Sequence, residues 1–542
     1  MAREHGAEID KEGKTNMRKF NVTGLCIPEE DYMVDISGKI EQIKRLIDRR
    51  AYFTVNRARQ YGKTTMLNEL KKTLESEYIC ISTSFENLGN ESFSSSNSFC
   101  HVFMGLIQKA LRFTSVDKEY IEKWMNENVT TFETLSNHIT TMCRGQKIVL
   151  MVDEVDKISN NQVFLHFLSM LREKFLGRKL GTDYTFHSVI LAGVYDIKNI
   201  KLKMIHEGTY VLYNTENKVY NSPWNIAVNF NVDMSFNPAE IATMLVEYEA
   251  DYNTGMDVRP ISEELHKYTS GYPFLVSRMC QIVEEDLDSN WTISGVEDAL
   301  KIITTTEKNT LFDDLIKNLH NNSEIYNFMY EILILGDHSP RGIYSPEVEW
   351  ANMFGFIKIG RNGSISVSNK IFESILVKHF ISAETKAKQV RSANDKSLLY
   401  EIAKNGVFNM ELCLRKFKEF FTLVYDNKEN SFYERYGLLM FLAYLNPLIN
   451  GQGFYHIESE TSDGKRMDLV LDYGINQYII ELKLWNGKAL HERAFDQLLG
   501  YMDAKNTDKG YLLTFDLRTK KNKQPKAEWI SVEGKKIFDV VV

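Results

Sequence analysis

The sequence lacks the features that mark several specialised classes of protein. No apolar run reaches the length needed to span a membrane, and residues 1–15 are polar, without the apolar core of a signal peptide. The six cysteines are scattered singly, without the paired spacing of a zinc site or a disulfide framework. The net charge of −8 gives no overall basic signal for nucleic acid, so such binding would need a local patch. We therefore expect a cytoplasmic protein with reduced thiols and no membrane association.

The composition is otherwise that of an ordinary globular protein. Hydrophobic residues make up 43% and charged residues 25% of the 542 positions, and both fractions are close to the usual values for soluble domains. At roughly 150 residues per domain, the length predicts about three or four domains.

The segment Asn56–Thr65 has the form of a phosphate-binding loop. Strand-like residues lead into it and helix-like residues follow it, an arrangement in which backbone N–H groups and the helix dipole favour an anion. Gly62 allows the tight turn, Lys63 would reach the β- and γ-phosphates, and the Thr64 hydroxyl would hold Mg²⁺. Arg57 stands where the loop pattern has its first glycine. The alternative to a phosphate loop is therefore a basic turn before a helix.

A continuous apolar run, Lys147–Glu154, ends in two acids. Such a run is typical of a central strand of a parallel sheet that is buried on both faces. Open α/β sheets bind ligands at the carboxyl ends of their strands, where Asp153 would hold Mg²⁺ and Glu154 would polarise the attacking water. The alternative is a strand that ends in a solvated acidic turn. Together with the loop upstream, this run predicts that the protein binds ATP, or another nucleotide, with Mg²⁺.

Three residues outside the loop are further candidates. Tyr32 would stack on the base, unless it simply packs in the core. Arg278 lies on a helix that begins near Pro273 and would reach the γ-phosphate, unless it is solvated like most helix arginines. Asp196 closes an apolar strand and would sense the γ-phosphate, unless it caps a helix. The residues predicted to bind nucleotide are Tyr32, Arg59, Gln60, Tyr61, Gly62, Lys63, Thr64, Thr65 and Arg278.

The order of elements predicts an α/β fold with several modules. Strands alternate with helices at first, which predicts a doubly wound parallel sheet, and helices then form a lid. Short helices and a hairpin with an Asn362–Gly363 turn follow, in the pattern of a winged helix. Such a module binds DNA or serves as a packing spacer, and we favour the spacer because the region is not strongly basic. The predicted divisions are a flexible tail (1–18), a P-loop ATPase core (19–235), a helical lid (236–308), a winged-helix-like module (309–381), linker helices (382–425) and a separate α/β domain (426–542).

The C-terminal domain carries a second constellation of polar residues. Its predicted order is helix, three strands, helix and strand. Asp468 lies on the second strand, while Glu481 and Lys483 lie two residues apart on the third and so face one side. Gln497 and Tyr501 lie four apart on the next helix, so we expect them to face the same way. Phosphodiester hydrolysis needs carboxylates to hold Mg²⁺ and a lysine to blunt transition-state charge. The alternative is an exposed strand with alternating charges.

This combination resembles a family of bacterial and archaeal proteins in which an AAA-like, STAND-type P-loop ATPase is joined to a C-terminal PD-(D/E)XK nuclease-superfamily domain. The resemblance covers almost the whole chain, and members of that family also lack the first loop glycine. The segments that carry it are Tyr52–Thr65, Asp153–Lys157, Leu191–Asp196, Ser270–Arg278, Asp468 and Glu481–Lys483. Gln497 and Tyr501 resemble the QxxxY helix of the RecB-like members. Met467 stands where the nuclease pattern has a proline, and Glu434 is the candidate for the helix-borne acid.

The resemblance implies an ATP-binding and ATP-hydrolysing switch that controls a nuclease. The implied nuclease uses Mg²⁺, or Mn²⁺, and acts on DNA, with RNA as the less favoured alternative. A homo-oligomer and a role in defence against phage or mobile DNA are compatible with this design. The implied catalytic residues are Glu154, Asp468, Glu481, Lys483, Gln497 and Tyr501, and the implied metal ligands are Thr64, Asp153, Asp468, Glu481 and Glu434.

Two other functions stay open. One is an ATP-gated sensor or assembly protein whose nuclease-like domain only binds nucleic acid or a partner. The other is a DNA-binding regulator that acts through the winged helix, in which Lys358 and Arg361 would matter more than Lys483.

Overall fold

The computed structural model divides the chain into two compact units, which are described separately. The first contains residues 1–315 and 349–370, and the second contains residues 316–348 and 371–542. No helix in the described ranges is both long and apolar enough to cross a lipid bilayer. The residues that the structure describes are 18–114, 116–125, 128–155, 161–194, 224–335, 342–343, 345–360, 362–387, 401–404, 407–424, 434–449, 453–460, 466–485, 487–516, 518 and 526–542.

A parallel sheet forms the core of the first unit. Its elements in chain order are α1 (Ser37–Asp48), β1 (Tyr52–Asn56), α2 (Lys63–Leu74), β2 (Ile79–Ser84), α3 (Ser96–Leu111), α4 (Lys118–Met125), α5 (Phe132–Cys143), β3 (Ile148–Asp153), α6 (Gln162–Leu180) and β4 (Ser188–Gly193). The four strands are parallel and lie in the order β1-β4-β3-β2. A further parallel bridge joins Val228 to Phe53 on β1. The predicted parallel α/β sheet is therefore confirmed, with β4 between the loop-bearing strand and the acid-tipped strand.

The sheet is buried on both faces, as the apolar run on β3 predicts. Every residue of β3 and β4 is buried. Leu150 and Val152 pack into one apolar cluster, whereas Val149 and Met151 pack into another. Because neighbouring residues of a strand point to opposite faces, the two clusters are the two helix-covered sides of a doubly wound sheet.

Helices follow the sheet, as predicted for the lid. They are α7 (Pro238–Tyr252), α8 (Val258–Thr269), α9 (Pro273–Glu285) and α10 (Ile293–Thr305). Asn237 and Glu240 form a reciprocal capping box at the start of α7. Pro238 and Pro273 occupy the first positions of their helices, where the missing N–H leaves no carbonyl unsatisfied.

The next elements include the predicted hairpin. They are α11 (Thr310–Asn321), α12 (Ser323–Tyr330), α13 (Pro346–Met353), β5 (Ile357–Ile359), β6 (Ile365–Val367) and α14 (Lys370–Ala387). Strands β5 and β6 are antiparallel, and Gly363 in the turn has a φ of 78°, a conformation that favours glycine. The hairpin belongs to the first unit, whereas residues 316–348 and 371–381 belong to the second. The boundary between the units thus falls inside the predicted winged-helix-like segment.

The second unit contains a mixed six-stranded sheet. Its later elements are β7 (Ala403–Lys404), β8 (Val407–Phe408), α15 (Met410–Val424), α16 (Glu434–Ile449), β9 (Gly453–Glu460), β10 (Arg466–Tyr473), β11 (Asn476–Leu484), α17 (Lys488–Ala504), β12 (Lys509–Phe515), β13 (Lys526–Val532) and β14 (Lys535–Val541). The strand order is β13-β14-β12-β11-β10-β9, with β11, β12 and β14 parallel to one another. Elements α16 to β12 follow the predicted order of helix, three strands, helix and strand. The edge pair β13 and β14 was not predicted.

Several sequence predictions fall outside the described residues. These are residues 1–17 of the predicted tail, Asp196, Arg361 and residues 388–400 of the predicted linker. All six cysteines are free thiols in this structure.

Candidate functional site

The loop between β1 and α2 has the backbone conformation that its sequence predicts. Gly62 precedes the first residue of α2 and has a φ of 75°. A Cβ at this position would lie 3.9 Å from the Pro273 side chain, an ordinary contact. Backbone conformation, rather than lack of space, is therefore what favours glycine here. The helix starts at Lys63, so its first N–H groups and its dipole point into the loop.

The Lys63 side chain lies inside this loop. Its ammonium donates hydrogen bonds to the carbonyl oxygens of Arg57 and Ala58, both at 3.0 Å. The side chain is buried, which is unusual for lysine unless its charge is satisfied. The ammonium is thus held where a phosphate in the loop would meet it.

The carboxyl end of β3 is joined to the loop by Thr64. The Thr64 hydroxyl donates a hydrogen bond of 2.7 Å to Asp153 Oδ2. The other oxygen, Asp153 Oδ1, accepts from the backbone N–H of Glu154 at 2.9 Å. Glu154 has a φ of 55°, in the left-handed region, so the chain turns sharply after the strand. A hydroxyl beside a carboxylate is a donor set that suits Mg²⁺, and these residues therefore fit the metal that the loop implies.

Arg57 replaces a glycine without distorting the loop. Its φ is not positive, so a side chain costs nothing in backbone strain there. The guanidinium donates to the carbonyl oxygen of Val232 at 2.9 Å and lies 5.6 Å from the centre of the Phe230 ring. Burial lowers the pKa of Arg57. The structure thus explains why this loop does not need the first glycine of the pattern.

Arg59 and Gln60 of the loop contact the N-terminal part of α11. Arg59 forms an ion pair of 2.8 Å with Asp314, although its own side chain is exposed. Gln60 has a φ of 55° and donates to the Thr310 hydroxyl at 3.2 Å. Two residues predicted to bind nucleotide are therefore tied to a helix that follows the lid.

The start of α9 also contacts the loop. The Tyr61 ring meets the Tyr272 ring edge-on, with centroids 4.6 Å apart. The buried Tyr272 hydroxyl donates to the carbonyl oxygen of Arg59. On the opposite side, the Thr65 hydroxyl accepts from the Cys26 N–H at 3.3 Å. Segments before and after the sheet thus both fix the position of the loop.

Tyr32 lies in an aromatic cluster. Its ring centroid is 5.2 Å from those of Phe20 and Tyr248, and its hydroxyl donates to Asp251 at 2.9 Å. These are the contacts expected if Tyr32 packs in the core instead of stacking on a base. Stacking of Tyr32 on a base stays a prediction.

The predicted lid arginine is held by its neighbours in this structure. Arg278 pairs with Glu307 at 3.0 Å and donates to Gln281 at 2.7 Å. A contact between Arg278 and the γ-phosphate stays a prediction, and it would require the pair with Glu307 to open.

Glu481 and Lys483 come together on β11 in the second unit. Lys483 Nζ lies 2.9 Å from Glu481 Oε1, and the Glu481 side chain is 1% exposed. Strand β10, which carries Asp468, pairs with β11 through Leu469 and Ile480. The side chains of Asp468 and Glu434 lie outside the described part of the chain. No group of three or more histidine, cysteine or acidic residues suited to a metal occurs among the residues that the structure describes.

The two helix residues predicted for the same site differ in exposure. Both lie on α17, but Gln497 is exposed whereas Tyr501 is buried in the apolar cluster with Leu498 and Met502. Residues that face the same way would be expected to have similar burial, but these two side chains do not. At 3.6 residues per turn, four residues rotate by about 40° more than one full turn. This difference is enough to put one side chain at the edge of the buried face.

One polar group near β11 was missed by the sequence analysis. His491 on α17 lies 3.0 Å from Asp539 on β14 through Nε2, and its Nδ1 lies 3.4 Å from the Thr514 hydroxyl. A single acid inside the apolar run Ile537–Val541 was the available signal, because such an acid needs a partner when buried.

The chain belongs to the AAA-like domain family. That family matches residues 35–334, more than half of the chain. The fold and the loop described above make this part of the protein a P-loop ATPase domain. No curated protein matches the sequence.

Solved structures with a similar fold were also found. The Walker-type ATPase of Pyrococcus abyssi is 11% identical with a TM-score of 0.44, and the alignment covers 66% of this chain and 99% of that one. The ORC2 protein of Aeropyrum pernix, in its ADPNP-ADP complexes, is 11% identical with a TM-score of 0.36, covering 68% and 98%. Cdc6p of Pyrobaculum aerophilum is 13% identical with a TM-score of 0.29, covering 64% and 94%. These low scores support no conclusion about function.

Proposed function

We propose that the protein is an ATP-hydrolysing switch whose nucleotide state controls a C-terminal, metal-dependent nuclease. The observation that carries the first half is the contact between Thr64 and Asp153, with Lys63 held in the loop beside them. In this proposal Lys63 neutralises the β- and γ-phosphates, Thr64 and Asp153 hold Mg²⁺, and Glu154 orients the attacking water.

The loop contacts supply the switch. Phosphate oxygens would replace the Arg57 and Ala58 carbonyls as acceptors for Lys63. Nucleotide binding would therefore break the two hydrogen bonds that join the Lys63 side chain to the loop backbone. Arg59 and Gln60 bind α11, and Tyr272 at the start of α9 holds the same loop. Nucleotide therefore acts on residues that already contact the lid and α11. It shifts the equilibrium between the loop conformation described here and a nucleotide-bound conformation by its difference in affinity for the two.

The second half of the proposal is supported by the Glu481–Lys483 pair. A carboxylate and an ammonium meet near the carboxyl end of β11, next to the strand that carries Asp468. In the proposed site Asp468 and Glu481, with Glu434 as a further candidate, hold Mg²⁺ or Mn²⁺. Carboxylate oxygens fit those hard cations. Lys483 would stabilise the charge that develops on the phosphate, and Gln497 and Tyr501 would complete the site from α17.

The proposed substrate is DNA, with RNA as the alternative. A homo-oligomer, a cytoplasmic location and a role in defence against phage or mobile DNA are parts of the same proposal. They rest on the resemblance described for the sequence.

A second candidate is an ATP-gated sensor or assembly protein whose C-terminal domain binds nucleic acid or a partner without cutting. It is favoured by the Glu481–Lys483 ion pair, in which the carboxylate already has an ammonium as a partner without any metal. Binding of nucleic acid without metal-dependent cleavage would distinguish this function from a nuclease.

The ATPase half is tested by nucleotide binding to Lys63→Ala. We expect fluorescent ATP to bind the wild type and not this variant. The matched control is Lys72→Ala, on the same helix, because Lys72 pairs with Glu69 at the surface and lies away from the loop. Equal binding by the wild type and Lys63→Ala would overturn the assignment of this loop.

A further inference from the structure

Asp539, the acid of β14, lies in an apolar environment that disfavours a charged side chain. Asp539 is 0% exposed, and its neighbours from Ile537 to Val541 are all buried. A carboxylate loses several kcal/mol of hydration on such burial unless partners replace the water. Here Oδ2 meets His491 and Lys526, while Oδ1 has no hydrogen-bond partner within the described part of the chain. Packing alone would be served better by an apolar residue.

The partners of Asp539 form a directed chain of hydrogen bonds. A carboxylate only accepts, so His491 Nε2 must carry the proton that bridges the 3.0 Å to Asp539. In the neutral ring Nδ1 is then an acceptor, which makes the Thr514 hydroxyl the donor across 3.4 Å. The Thr514 oxygen keeps its lone pairs for another donor. The chain Asp539–His491–Thr514 therefore leaves the Thr514 hydroxyl oxygen as an acceptor for a donor on the neighbouring strand.

Lys483 is the residue that lies beside Thr514. The two are register partners on the parallel strands β11 and β12, and Glu481 is in line with Leu512 and then with Asp539. Paired residues on neighbouring strands point to the same face, and neighbouring strands are about 4.8 Å apart. The hydrogen-bonded chain thus ends at Thr514, one strand away from the Glu481–Lys483 pair and on the same face of the sheet.

We propose that His491, oriented by Asp539, is a positioning residue of the C-terminal site that aims the Thr514 hydroxyl at the Lys483 ammonium. This proposal rests on the proposed nuclease function. Lys483 has four rotatable bonds, and an ammonium aimed at the substrate phosphate must be held against that freedom. Glu481 restrains it from its own strand and Thr514 from the next strand.

The same domain offers a matched control pair. His456 Nε2 lies 3.1 Å from Asp472 Oδ2, between strands β9 and β10. Asp472 is in register with Gln477, at the opposite end of β11 from Lys483. Lys483 lies six positions after Gln477 along the strand, a distance of about 20 Å at roughly 3.3 Å per residue. Substitution of His456 removes a histidine–aspartate pair without touching the proposed site.

The test measures kcat and KM for cleavage of labelled DNA by the full-length chain with Mn²⁺. The variants are His491→Ala, Thr514→Val and Thr514→Ser, and His456→Ala is the control. Thr514→Val keeps the shape of a fully buried side chain and removes only the hydroxyl, so melting temperature should stay near that of the wild type. We expect Thr514→Val and His491→Ala to lower kcat by about 10- to 100-fold with little change in KM, as loss of orientation predicts. Thr514→Ser should restore kcat, and His456→Ala should leave it unchanged.

Three results would overturn the proposal, and they differ in what else they overturn. If the wild type cleaves DNA and Thr514→Val and His491→Ala cleave equally well, His491 has no positioning role and the nuclease assignment stands. If the wild type cleaves neither single- nor double-stranded DNA, the proposed nuclease function fails and this inference fails with it. A loss of kcat in His456→Ala as large as that in His491→Ala would show a general structural effect and would also overturn the proposal.

Discussion

The Thr64 hydroxyl donates a 2.7 Å hydrogen bond to Asp153 Oδ2 across 89 residues of sequence. Thr64 lies in the first turn of α2, which follows β1, and Asp153 ends β3. Strand β4 lies between β1 and β3. This contact brings the two halves of the nucleotide site together, because the loop supplies the phosphate-binding groups and the strand supplies the acid.

Thr64→Ala and Asp153→Asn should separate nucleotide binding from hydrolysis. Lys63 and the loop N–H groups stay in place in both variants, so ATP should still bind. Hydrolysis should fall by at least about 100-fold, because the oxygen ligands for Mg²⁺ are lost. Phosphate release and nucleotide binding measure the two effects. Thr73→Ala, at a threonine farther along the same helix, is the control, and unchanged hydrolysis in Thr64→Ala would contradict this account of the metal site.

Arg57→Ala should reduce stability without abolishing nucleotide binding. The guanidinium bonds to the Val232 carbonyl rather than entering the loop. Loss of a part-buried, charged hydrogen bond should lower the free energy of unfolding by about 1–3 kcal/mol. Chemical denaturation and ATP titration measure the two quantities. A loss of ATP affinity greater than about tenfold, or about 1.4 kcal/mol, would instead place Arg57 in the binding site.

Asp314→Ala and Arg59→Ala should change ATP affinity in opposite directions. The ion pair holds Arg59 against α11, and an exposed pair of this kind contributes at most about 1 kcal/mol. Removing Asp314 releases Arg59 toward the phosphates and should tighten ATP binding by up to about fivefold. Removing Arg59 should weaken it. Isothermal titration calorimetry can compare both variants with Asp313→Ala, an exposed acid on the same helix. Weaker binding by Asp314→Ala would contradict this interpretation of the pair.

The stability of the first unit should fall in mild acid because of His187. Burial, with contributions from Arg50, Arg178 and Lys147, lowers the pKa of His187 to about 4 from its ordinary 6.5. Between these two values the unfolded chain binds more protons at this side chain than the folded chain does. The free energy of unfolding therefore rises with pH across this window. The contribution of His187 to stability is fully present above pH 6.5 and is lost progressively as the pH falls toward about 4.

A comparison of urea denaturation at about pH 7 and about pH 5 measures this effect. His187→Gln should lose less stability on acidification than the wild type, because it has no proton to bind. An equal loss in both proteins would show that other groups cause the acid sensitivity.

The sequence predicted those features of the site that are local patterns. The turn at Gly62 and the acids after the apolar strand each occupy a few consecutive residues, so spacing and hydrophobicity reveal them. The hairpin at Asn362–Gly363 and the strands from β9 to β12 follow from the same kind of signal. The parallel sheet follows from the alternation of strands and helices.

Contacts between distant residues were not predictable in this way. The ion pairs Arg59–Asp314 and Arg278–Glu307 join surfaces whose meeting depends on tertiary packing. His491 and Asp539 are 48 residues apart, and only the order of the strands brings them together. Strands β13 and β14 were missed because the first is only partly buried and the second carries an acid among apolar residues.

Cleavage of labelled DNA under nucleotide control is the measurement that tests the central claim most directly. The wild type, Lys483→Ala and Lys63→Ala would be compared with Mg²⁺ or Mn²⁺, with and without ATP, and Lys505→Ala would serve as a surface-lysine control. We expect metal-dependent cleavage by the wild type and Lys505→Ala, and none by Lys483→Ala. Lys63→Ala should cleave without responding to ATP. Cleavage by Lys483→Ala at the wild-type rate, or an equal ATP response in Lys63→Ala, would contradict the account.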